Sequence, residues 1–512
     1  MTRRLRHPAV LGLLAVAEFM LTLDLSIVNV GLPAIRADLG FDQGSLQWVV
    51  NGYGLTFAGF LLLGGRAADL FGGRRVFLSA LGVFTLSSLA CGLADAQGTL
   101  VAARIVQGLS AGVLSPATLS MLTSTYRAPD ERNRALSLWT GVAIGGGAIG
   151  ALLGGLLVGA ISWRAIFFVN VPVGAALLGL AALRLPRDRA APTGSRLDVA
   201  GAVAVTAGLT ALVWALTRSP DGWASPEVVG GLVAAAVLLA AFTLIETSIA
   251  PAPLVPFAVF RSRALTAGNV LSLLSFVPVM ATWFFLTLEL QGVRGYTPLQ
   301  TGLLFLPLTL GVVAGSQLSF KLVGHTDARA LFGAGGVVAA AGLAAVSALA
   351  ADAPVGWVIA AASVSMGGGG LMFAPITVAA TSGLPPEQGG LASGLLNTTR
   401  QIGGALGLAM LSTIAAGEGF GTAFALGAAA SVVTALVGAI LLPRALGEPI
   451  AVSARRHSGT IERWLSRRRG RPPLRAGTSS TSSSGCSPRS TPTGRGRPPT
   501  LSTTGSARRS AS

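Results

Sequence analysis

Fourteen long apolar runs, separated by short polar connections, dominate the sequence between Pro8 and Leu442. Each has roughly the 20 residues that an α-helix needs to cross a bilayer. They are predicted at residues 9–32, 45–65, 76–94, 98–122, 135–160, 164–184, 199–217, 227–246, 264–290, 300–322, 328–350, 355–380, 391–416 and 420–442. Because the chain is 52% hydrophobic and only 11% charged, a soluble domain of this size is excluded. The sequence predicts an all-α polytopic membrane protein with fourteen transmembrane helices.

Basic residues fall mainly on alternate connections. The N-terminus and every second connection carry 17 of them, which are Arg3, Arg4, Arg6, Arg66, Arg74, Arg75, Arg127, Arg132, Arg134, Arg184, Arg187, Arg189, Arg196, Arg261, Arg263, Lys321 and Arg329. The opposite connections carry four, which are Arg36, Arg164, Arg218 and Arg294. Because cytoplasmic loops are enriched in Arg and Lys, the richer side is predicted to be cytoplasmic. An even number of spans then places both termini of this multi-pass cell-membrane protein inside.

Most of the net charge of +17 comes from the last part of the chain. Residues 444–512 hold 14 arginines and two glutamates, a net charge of +12. Their Ser, Thr, Pro and Gly content offers almost nothing to bury, so 443–512 is predicted to be a disordered basic tail. A basic tail beside an anionic leaflet is a membrane-surface segment, and no nucleic-acid partner is expected.

Cysteine and histidine are too few and too scattered for a disulfide framework or a metal site. Cys91 lies in an apolar run and Cys486 in the tail, and His7, His325 and His457 all lie outside the runs. No metal and no cofactor is therefore expected. Since the sequence also lacks a cluster of acidic and histidine residues or an activated nucleophile at one interface, an enzyme is not expected.

The fifth run carries glycines at a regular spacing. Gly146, Gly150 and Gly154 are four residues apart, and Gly155 follows directly. Glycines at this spacing share one helix face and let a neighbouring helix approach to backbone contact. The pattern predicts such a contact within the membrane, either as a device for movement or as a simple close-packed pair.

Four ionisable side chains lie well inside the spans: Glu18, Asp24, Arg104 and Arg400. Placing an ionisable side chain at the centre of a span costs roughly 2.5 to 3.5 kcal/mol of insertion free energy, so each of the four is expected to have a structural or functional role. At about 1.5 Å of rise per residue, Asp24 and Arg104 lie at similar depths on spans 1 and 4. An ion pair between them is expected, either as a structural contact or as a pair that breaks and reforms when a carboxylate of span 1 is protonated.

Glu18 has no comparable partner in the sequence. Six residues separate it from Asp24, which turns the two about 120° apart on a helix, so they do not form one carboxylate pair. Glu18 is either a group that loads and releases a proton or a neutral carboxyl bonded to another helix. Arg400 is expected to contact backbone carbonyls or a distant carboxylate, and Glu246 and Glu289 are expected at the exposed ends of their spans.

Six short motifs occur in order along these spans. They lie at 23–33 in span 1, 65–75 between spans 2 and 3, 104–108 in span 4, 146–155 in span 5, 295–302 before span 10 and 397–404 in span 13. Together they resemble the major facilitator superfamily, specifically its fourteen-helix drug:proton antiporter branch, over 23–407. In span 5 this chain has Gly150-Ala151 where that branch usually has Gly-Pro, so the kink that proline would supply is not expected.

The resemblance implies two six-helix halves, 1–190 and 251–442, around a central cavity, with 191–250 as an inserted helix pair. It implies alternating access by rocking of one half against the other. It assigns a conformational motif to the loop between spans 2 and 3, composed of Gly65, Asp69, Gly72, Arg74 and Arg75. Asp69 would meet a helix N-terminus, where the dipole favours an anion, and steady the closed cytoplasmic side; the alternative is a solvated turn.

The resemblance implies proton-coupled export of hydrophobic small molecules, such as drugs or antibiotics, across the cytoplasmic membrane. The partners would be a small lipophilic substrate, protons and the lipid bilayer, with Glu18, Asp24 and Arg104 as proton-coupling residues. The alternative is a lipid flippase or a non-transporting membrane protein on the same fold. Because spans 10 and 12 lack acidic residues, a neutral or monocationic lipophile is the expected substrate.

Overall fold

The computed structural model describes residues 7–126, 128–185, 197–219, 222–349, 353–382, 389–415 and 419–442, and within these ranges it contains helices and no β-strand. The basic tail predicted at 443–512, the N-terminal Arg3, Arg4 and Arg6, and the loop residues Arg127, Arg187, Arg189 and Arg196 lie outside the described residues.

Fourteen long helices make up the described chain. The first seven are α1 (Pro8–Leu39), α2 (Trp48–Phe71), α3 (Gly73–Gly92), α4 (Gln97–Thr125), α5 (Pro129–Ala160), α6 (Asn170–Arg184) and α7 (Val199–Arg218). The second seven are α8 (Pro226–Leu244), α9 (Arg263–Leu288), α10 (Pro298–Leu304 and Leu306–Leu322), α11 (Ala328–Ala348), α12 (Val355–Thr381), α13 (Gly389–Ala415) and α14 (Phe420–Leu441). Fourteen helices match the number predicted from the apolar runs.

Thirteen of these helices are long and apolar enough to cross a membrane by length and composition. The exception is α13, because the five residues from Asn397 to Gln401 are all polar and fall in its middle. A helix with polar residues at its centre needs protein neighbours at that depth rather than lipid. This is the helix that carries Arg400.

Two helices continue beyond their predicted ends. α1 runs through Pro33 to Leu39 instead of ending at 32, and α2 runs to Phe71 instead of 65. Asp69 therefore lies in the last turn of α2, and its placement in a loop was wrong. The chain turns only at Gly72, whose φ of 95° favours glycine. Charged residues at the membrane surface are compatible with a continuing helix, so hydropathy alone placed these ends too early.

The side of the membrane where α1 begins is called the inner side here, and the charge bias predicts that it is cytoplasmic. α1 to α6 pack against one another, as do α9 to α14. α7 pairs with α8 and also contacts α2 and α13, where Thr413 Oγ1 donates a hydrogen bond to Leu216 O at 2.8 Å. The residue boundaries 190 and 250 between the halves and the inserted pair stay a prediction.

Helices α1 to α6 meet helices α9 to α14 at several places, among them two hydrogen bonds and one close helix approach. Gln291 Nε2, just after α9, donates to Val30 O of α1 at 3.0 Å. Thr398 Oγ1 of α13 donates to Ala58 O of α2 at 3.2 Å. Near the outer side, α5 meets α10, where a Cβ added to Gly155 would lie 2.8 Å from Leu299 Cα.

Candidate functional site

α1 holds both of the buried carboxyl groups that the structure describes in the first half. It packs against α4, α5, α6 and α9, so its side chains face protein over most of its length. Asp24 is fully buried and Glu18 is 8% exposed. Because the two groups point in different directions around the helix, each meets a different set of neighbours.

Asp24 forms a buried ion pair with Arg104 of α4. Asp24 Oδ2 lies 2.7 Å from Arg104 Nη1, and the two side chains are 0% and 1% exposed. Arg104 Nε donates to Val49 O at 2.9 Å, and Arg104 Nη1 donates to Gln107 Oε1 at 2.8 Å. The guanidinium carbon also lies 4.3 Å from the centre of the Tyr53 ring. The charge of Arg104 is therefore balanced by one carboxylate, two further acceptors and an aromatic face.

The second carboxylate oxygen of Asp24 is held by two amides. Gln107 Nε2 donates to Asp24 Oδ1 at 2.9 Å and Asn170 Nδ2 of α6 donates at 2.8 Å. Both amides also donate to Ser88 Oγ of α3, at 3.2 and 3.1 Å. Ser88 in turn donates to Phe167 O at 3.0 Å. Four helices, α1, α3, α4 and α6, thus meet at one hydrogen-bonded cluster.

Glu18 has two hydroxyl partners on α4. Ser115 Oγ donates to one carboxylate oxygen at 3.1 Å and Thr118 Oγ1 donates to the other at 3.2 Å. A hydroxyl can donate to a carboxylate or accept from a protonated carboxyl by rotating its hydrogen. The site at Glu18 can therefore hold either protonation state without a cation. The described residues place no cationic side chain within ion-pair distance of Glu18.

The glycine face of α5 packs against α1. A Cβ added to Gly146, Gly150 or Gly154 would lie 2.7 to 2.9 Å from the carbonyl oxygens of Phe19, Leu23 and Ile27, respectively. Those three carbonyls are also four residues apart, so the two backbones are in contact over two turns. Ser26 Oγ adds a hydrogen bond to Gly147 O at 2.7 Å. α5 is continuous through Ala151, as expected from the missing proline.

The predicted conformational motif lies at the inner ends of α2 and α3. Gly65 and Asp69 belong to α2, Gly72 separates the helices, and Arg74 and Arg75 belong to α3. Arg74 Nη2 donates to Ala182 O of α6 at 2.7 Å. Asp69 is exposed, and no hydrogen bond in the described part of the chain joins it to a helix N-terminus. Its assigned role stays a prediction.

Two carboxyl groups expected at exposed span ends are buried instead. Glu289 is 4% exposed and its Oε1 accepts from Arg294 Nε at 3.0 Å. Glu246 is 5% exposed and its Oε2 accepts from Val255 N at 3.1 Å. Both helices end in a π-helical turn that holds the glutamate, and the segment that follows covers it. The positions of Glu246 and Glu289 near the ends of their helices did not reveal that the following segment would bury them.

Arg400 lies between two aromatic rings rather than against carbonyls or a carboxylate. Its guanidinium carbon is 4.2 Å from the ring centre of Phe373 in α12 and 5.6 Å from that of Phe276 in α9. Its Nη2 is buried without a hydrogen-bond partner. The partner expected from sequence is not present among the described residues.

A separate apolar cavity of about 930 Å³ lies between α2 and α4 on one side and α7 and α8 on the other. Trp48, Ile105, Thr206 and Trp214 are among the residues that line it, and Glu18, Asp24 and Arg104 are not. Its lining suits a lipid tail or another apolar molecule, and none of the described residues that line the cavity is ionisable.

Sequence reasoning identified Asp24 and Arg104 and missed Gln107, Asn170 and Ser88. Gln107 lies in the motif at 104–108 and Asn170 lies in none of the six motifs, and a neutral amide carries no charge that demands a partner. Ser88 gives no signal in the sequence.

Comparison with known proteins places the chain among transporters. The model of the Major Facilitator Superfamily matches residues 14–408. The cephamycin export protein of Amycolatopsis lactamdurans is 45% identical over 408 residues, which cover 79% of this chain and 84% of that protein. The puromycin resistance protein of Streptomyces alboniger is 39% identical over 406 residues, which cover 78% of this chain and 80% of that protein.

Solved structures with low sequence identity share the fold. The crystal structure of a D-xylose-proton symporter matches with a TM-score of 0.62 and 13% identity, over 86% of this chain and 99% of that one. The POT family transporter PepTSo matches with a TM-score of 0.65 and 14% identity, over 86% and 98%.

Proposed function

The chain belongs to the major facilitator superfamily, a family of membrane transporters and not of enzymes, and on that premise we propose that it exports hydrophobic small molecules of the antibiotic class in exchange for protons. Relatives at 36 to 45% identity are named for the export of cephamycin, resistance to puromycin, and resistance to and export of tetracenomycin C. These names support antibiotic export as the function of this chain.

Proton coupling is proposed from the two carboxyl groups of α1. The observation that carries it is the contrast between them: Asp24 is bonded to Arg104, whereas Glu18 is held by hydroxyls alone. A carboxyl among hydroxyls can take up or release a proton without leaving an opposite charge unpaired. We assign proton uptake to Glu18. We propose that the Asp24–Arg104 pair has a different role, in which its charges determine how α1, α3, α4 and α6 pack.

The glycine contact supports the conformational part of the proposal. α5 touches α1 through Gly146, Gly150 and Gly154, and it touches α10 of the other half next to Gly155. A displacement of α1 would therefore be transmitted through α5 to the other half. The conformational motif with Asp69, Arg74 and Arg75 is proposed to act at the inner side, which the charge bias predicts to be cytoplasmic.

The test is transport by the purified full-length protein in liposomes with a trapped pH-sensitive dye. With an imposed pH gradient, addition of puromycin or a cephamycin is expected to speed the dissipation of the gradient, because substrate is exchanged for protons that cross the membrane in the opposite direction. Substrate movement with no proton movement would refute coupling and leave export standing. Movement of fluorescent phospholipid in place of these compounds would favour the flippase alternative.

Glu18→Gln is expected to abolish proton-driven accumulation of substrate while leaving substrate binding close to that of the wild type. Glutamine can still bond to Ser115 and Thr118 but cannot titrate. Glu227→Gln, which changes the exposed glutamate in the first turn of α8, is the matched control and should transport normally. Proton-driven accumulation at the wild-type rate in Glu18→Gln would show that the proton is carried elsewhere.

A further inference from the structure

Arg400 is the arginine whose charge the described structure leaves unbalanced inside the membrane. It lies about halfway along α13, it is partly buried, and it makes no hydrogen bond or ion pair with any described residue. Arg104, the buried arginine of the first half, has a carboxylate, an amide and a backbone carbonyl. The guanidinium of Arg400 has only the faces of Phe276 and Phe373.

Aromatic faces do not replace an anion. A guanidinium has five N–H donors, and the negative face of a ring attracts the cation without satisfying those donors as an oxygen would. Leaving a charged arginine in the membrane interior with no acceptor is costly. Among the described residues, the site therefore lacks a hydrogen-bonding partner of negative charge.

No acidic side chain among the described residues of the second half is free to fill this role. Between 263 and 442 the described residues include Glu289 and Asp327 as the acidic ones. Glu289 is paired with Arg294 at 3.0 Å. Asp327 accepts from Arg329 N at 2.8 Å, where it caps the start of α11. The described acidic side chains of the second half therefore do not supply the missing charge, and a molecule that enters the site would supply it.

The surroundings of Arg400 are accessible and suited to an amphiphile. Phe276, Phe373 and Arg400 are each partly exposed. Asn397, one turn earlier on α13, lies on the same side of the helix, is also partly exposed, and has no side-chain hydrogen bond within the described chain. Phe320 of α10 is 53% exposed and its ring centre lies 6.1 Å from that of Phe373. Cation, amide and aromatic rings thus line one surface contributed by α9, α10, α12 and α13.

We propose that Arg400 binds an anionic group, such as a carboxylate, of an otherwise apolar substrate, with Asn397 as a second donor and Phe276 and Phe373 against the apolar part. This inference rests on the proposed export function and narrows its substrate class. A guanidinium binds a carboxylate through two parallel hydrogen bonds, which gives orientation as well as attraction. It replaces the neutral or monocationic substrate that the lack of acidic residues had suggested.

The test is equilibrium binding to the purified full-length protein, which does not depend on proton movement. The probes are a cephamycin with a free carboxylate, its methyl ester, and the cation tetraphenylphosphonium. The wild type is expected to bind the carboxylate more tightly than the ester. Arg400→Gln should weaken carboxylate binding by about tenfold or more, since it removes charge-assisted hydrogen bonds, and should leave ester and cation binding within a factor of about two. Arg400→Lys should bind the carboxylate with an affinity between those of the wild type and Arg400→Gln, because lysine keeps the positive charge but lacks the planar pair of N–H donors.

Arg36→Gln, which removes an exposed arginine at the outer end of α1, is the control for loss of one positive charge. Equal binding of acid and ester by the wild type would overturn the inference. So would an equal loss for all three probes in Arg400→Gln, because Arg400 would then act on the fold and not on an anion. If the acid binds selectively and no pH gradient is dissipated, the proton-coupling proposal fails while the anion site stands.

Discussion

Asp24→Asn is expected to abolish export and to lower the thermal stability of the purified protein. Asparagine keeps the size of the side chain but leaves the Arg104 guanidinium buried without a counter-charge. Removing one partner of a buried ion pair typically costs about 3–5 kcal/mol. The loss should be visible both as absent transport in liposomes and as a lower melting temperature in detergent.

The matched control for this substitution is Asp38→Asn. Asp38 pairs with Arg164 at 2.6 Å near the outer surface, where the side chains are 46% and 34% exposed. Exposed pairs contribute about 1 kcal/mol or less, so this variant should fold and transport almost normally. If both variants lose transport equally, or if Asp24→Asn behaves like the wild type, the central role of the Asp24–Arg104 pair is refuted.

Replacement of both partners separates the role of Asp24 in folding from its role in transport. In Asp24→Asn/Arg104→Gln no unpaired charge remains, so stability should recover substantially relative to Asp24→Asn alone. Transport should not recover, because the charged pair that is proposed to couple charge to the packing of α1, α3, α4 and α6 is gone. Recovery of transport together with stability would mean that the pair is only structural.

Gly150→Leu is expected to disable transport and reduce the amount of folded protein in the membrane. Even a Cβ at this position would lie 2.8 Å from Ser26 Cβ and 2.9 Å from Leu23 O. A leucine must therefore push α5 away from α1 along the contact that Gly146 and Gly154 also form. Overpacking of this kind costs about 1–3 kcal/mol or more.

Gly145→Leu is the control for this change, because no atom lies within 4 Å of a Cβ at Gly145. Gly208 in α7 is a poor control, since its added Cβ would already lie 3.0 Å from Leu239. Transport is measured at equal amounts of protein in the membrane. Equal defects in Gly150→Leu and Gly145→Leu would show that the contact between α1 and α5 has no special role.

The sequence predicted the structure best where a feature would be energetically unfavourable unless the chain adopts one particular arrangement. Fourteen apolar runs predicted fourteen helices, because a long apolar segment has few other stable environments. A buried charge needs a partner, so the depths of Asp24 and Arg104 predicted their pairing before any tertiary contact was known. The glycine spacing in α5 predicted a close helix contact for a similar reason, although not that the neighbour would be α1.

The sequence was least informative where the energetic demand is small or depends on the tertiary fold. Gln107, Asn170 and Ser88 are neutral and tolerable in a helix, so nothing marks them until four helices are assembled. Glu246 and Glu289 were misplaced because a π-helical turn and the following segment bury them, and hydropathy does not report such cover. Arg400 stood out as a charge in a span, but only the structure shows that its neighbours are aromatic.

The cluster around Asp24 also bears on how such a protein can change over generations. Asp24, Arg104, Gln107, Asn170 and Ser88 are joined by buried hydrogen bonds, so a substitution at any one of them removes at least one hydrogen bond from another member of the cluster. Single substitutions at these positions are expected to be poorly tolerated, which makes the cluster slow to diverge. Within the described chain, the side chains proposed to bind the anion (Arg400, Asn397, Phe276 and Phe373) have no such mutual hydrogen bonds, and lineages that acquire a new substrate are expected to differ there first.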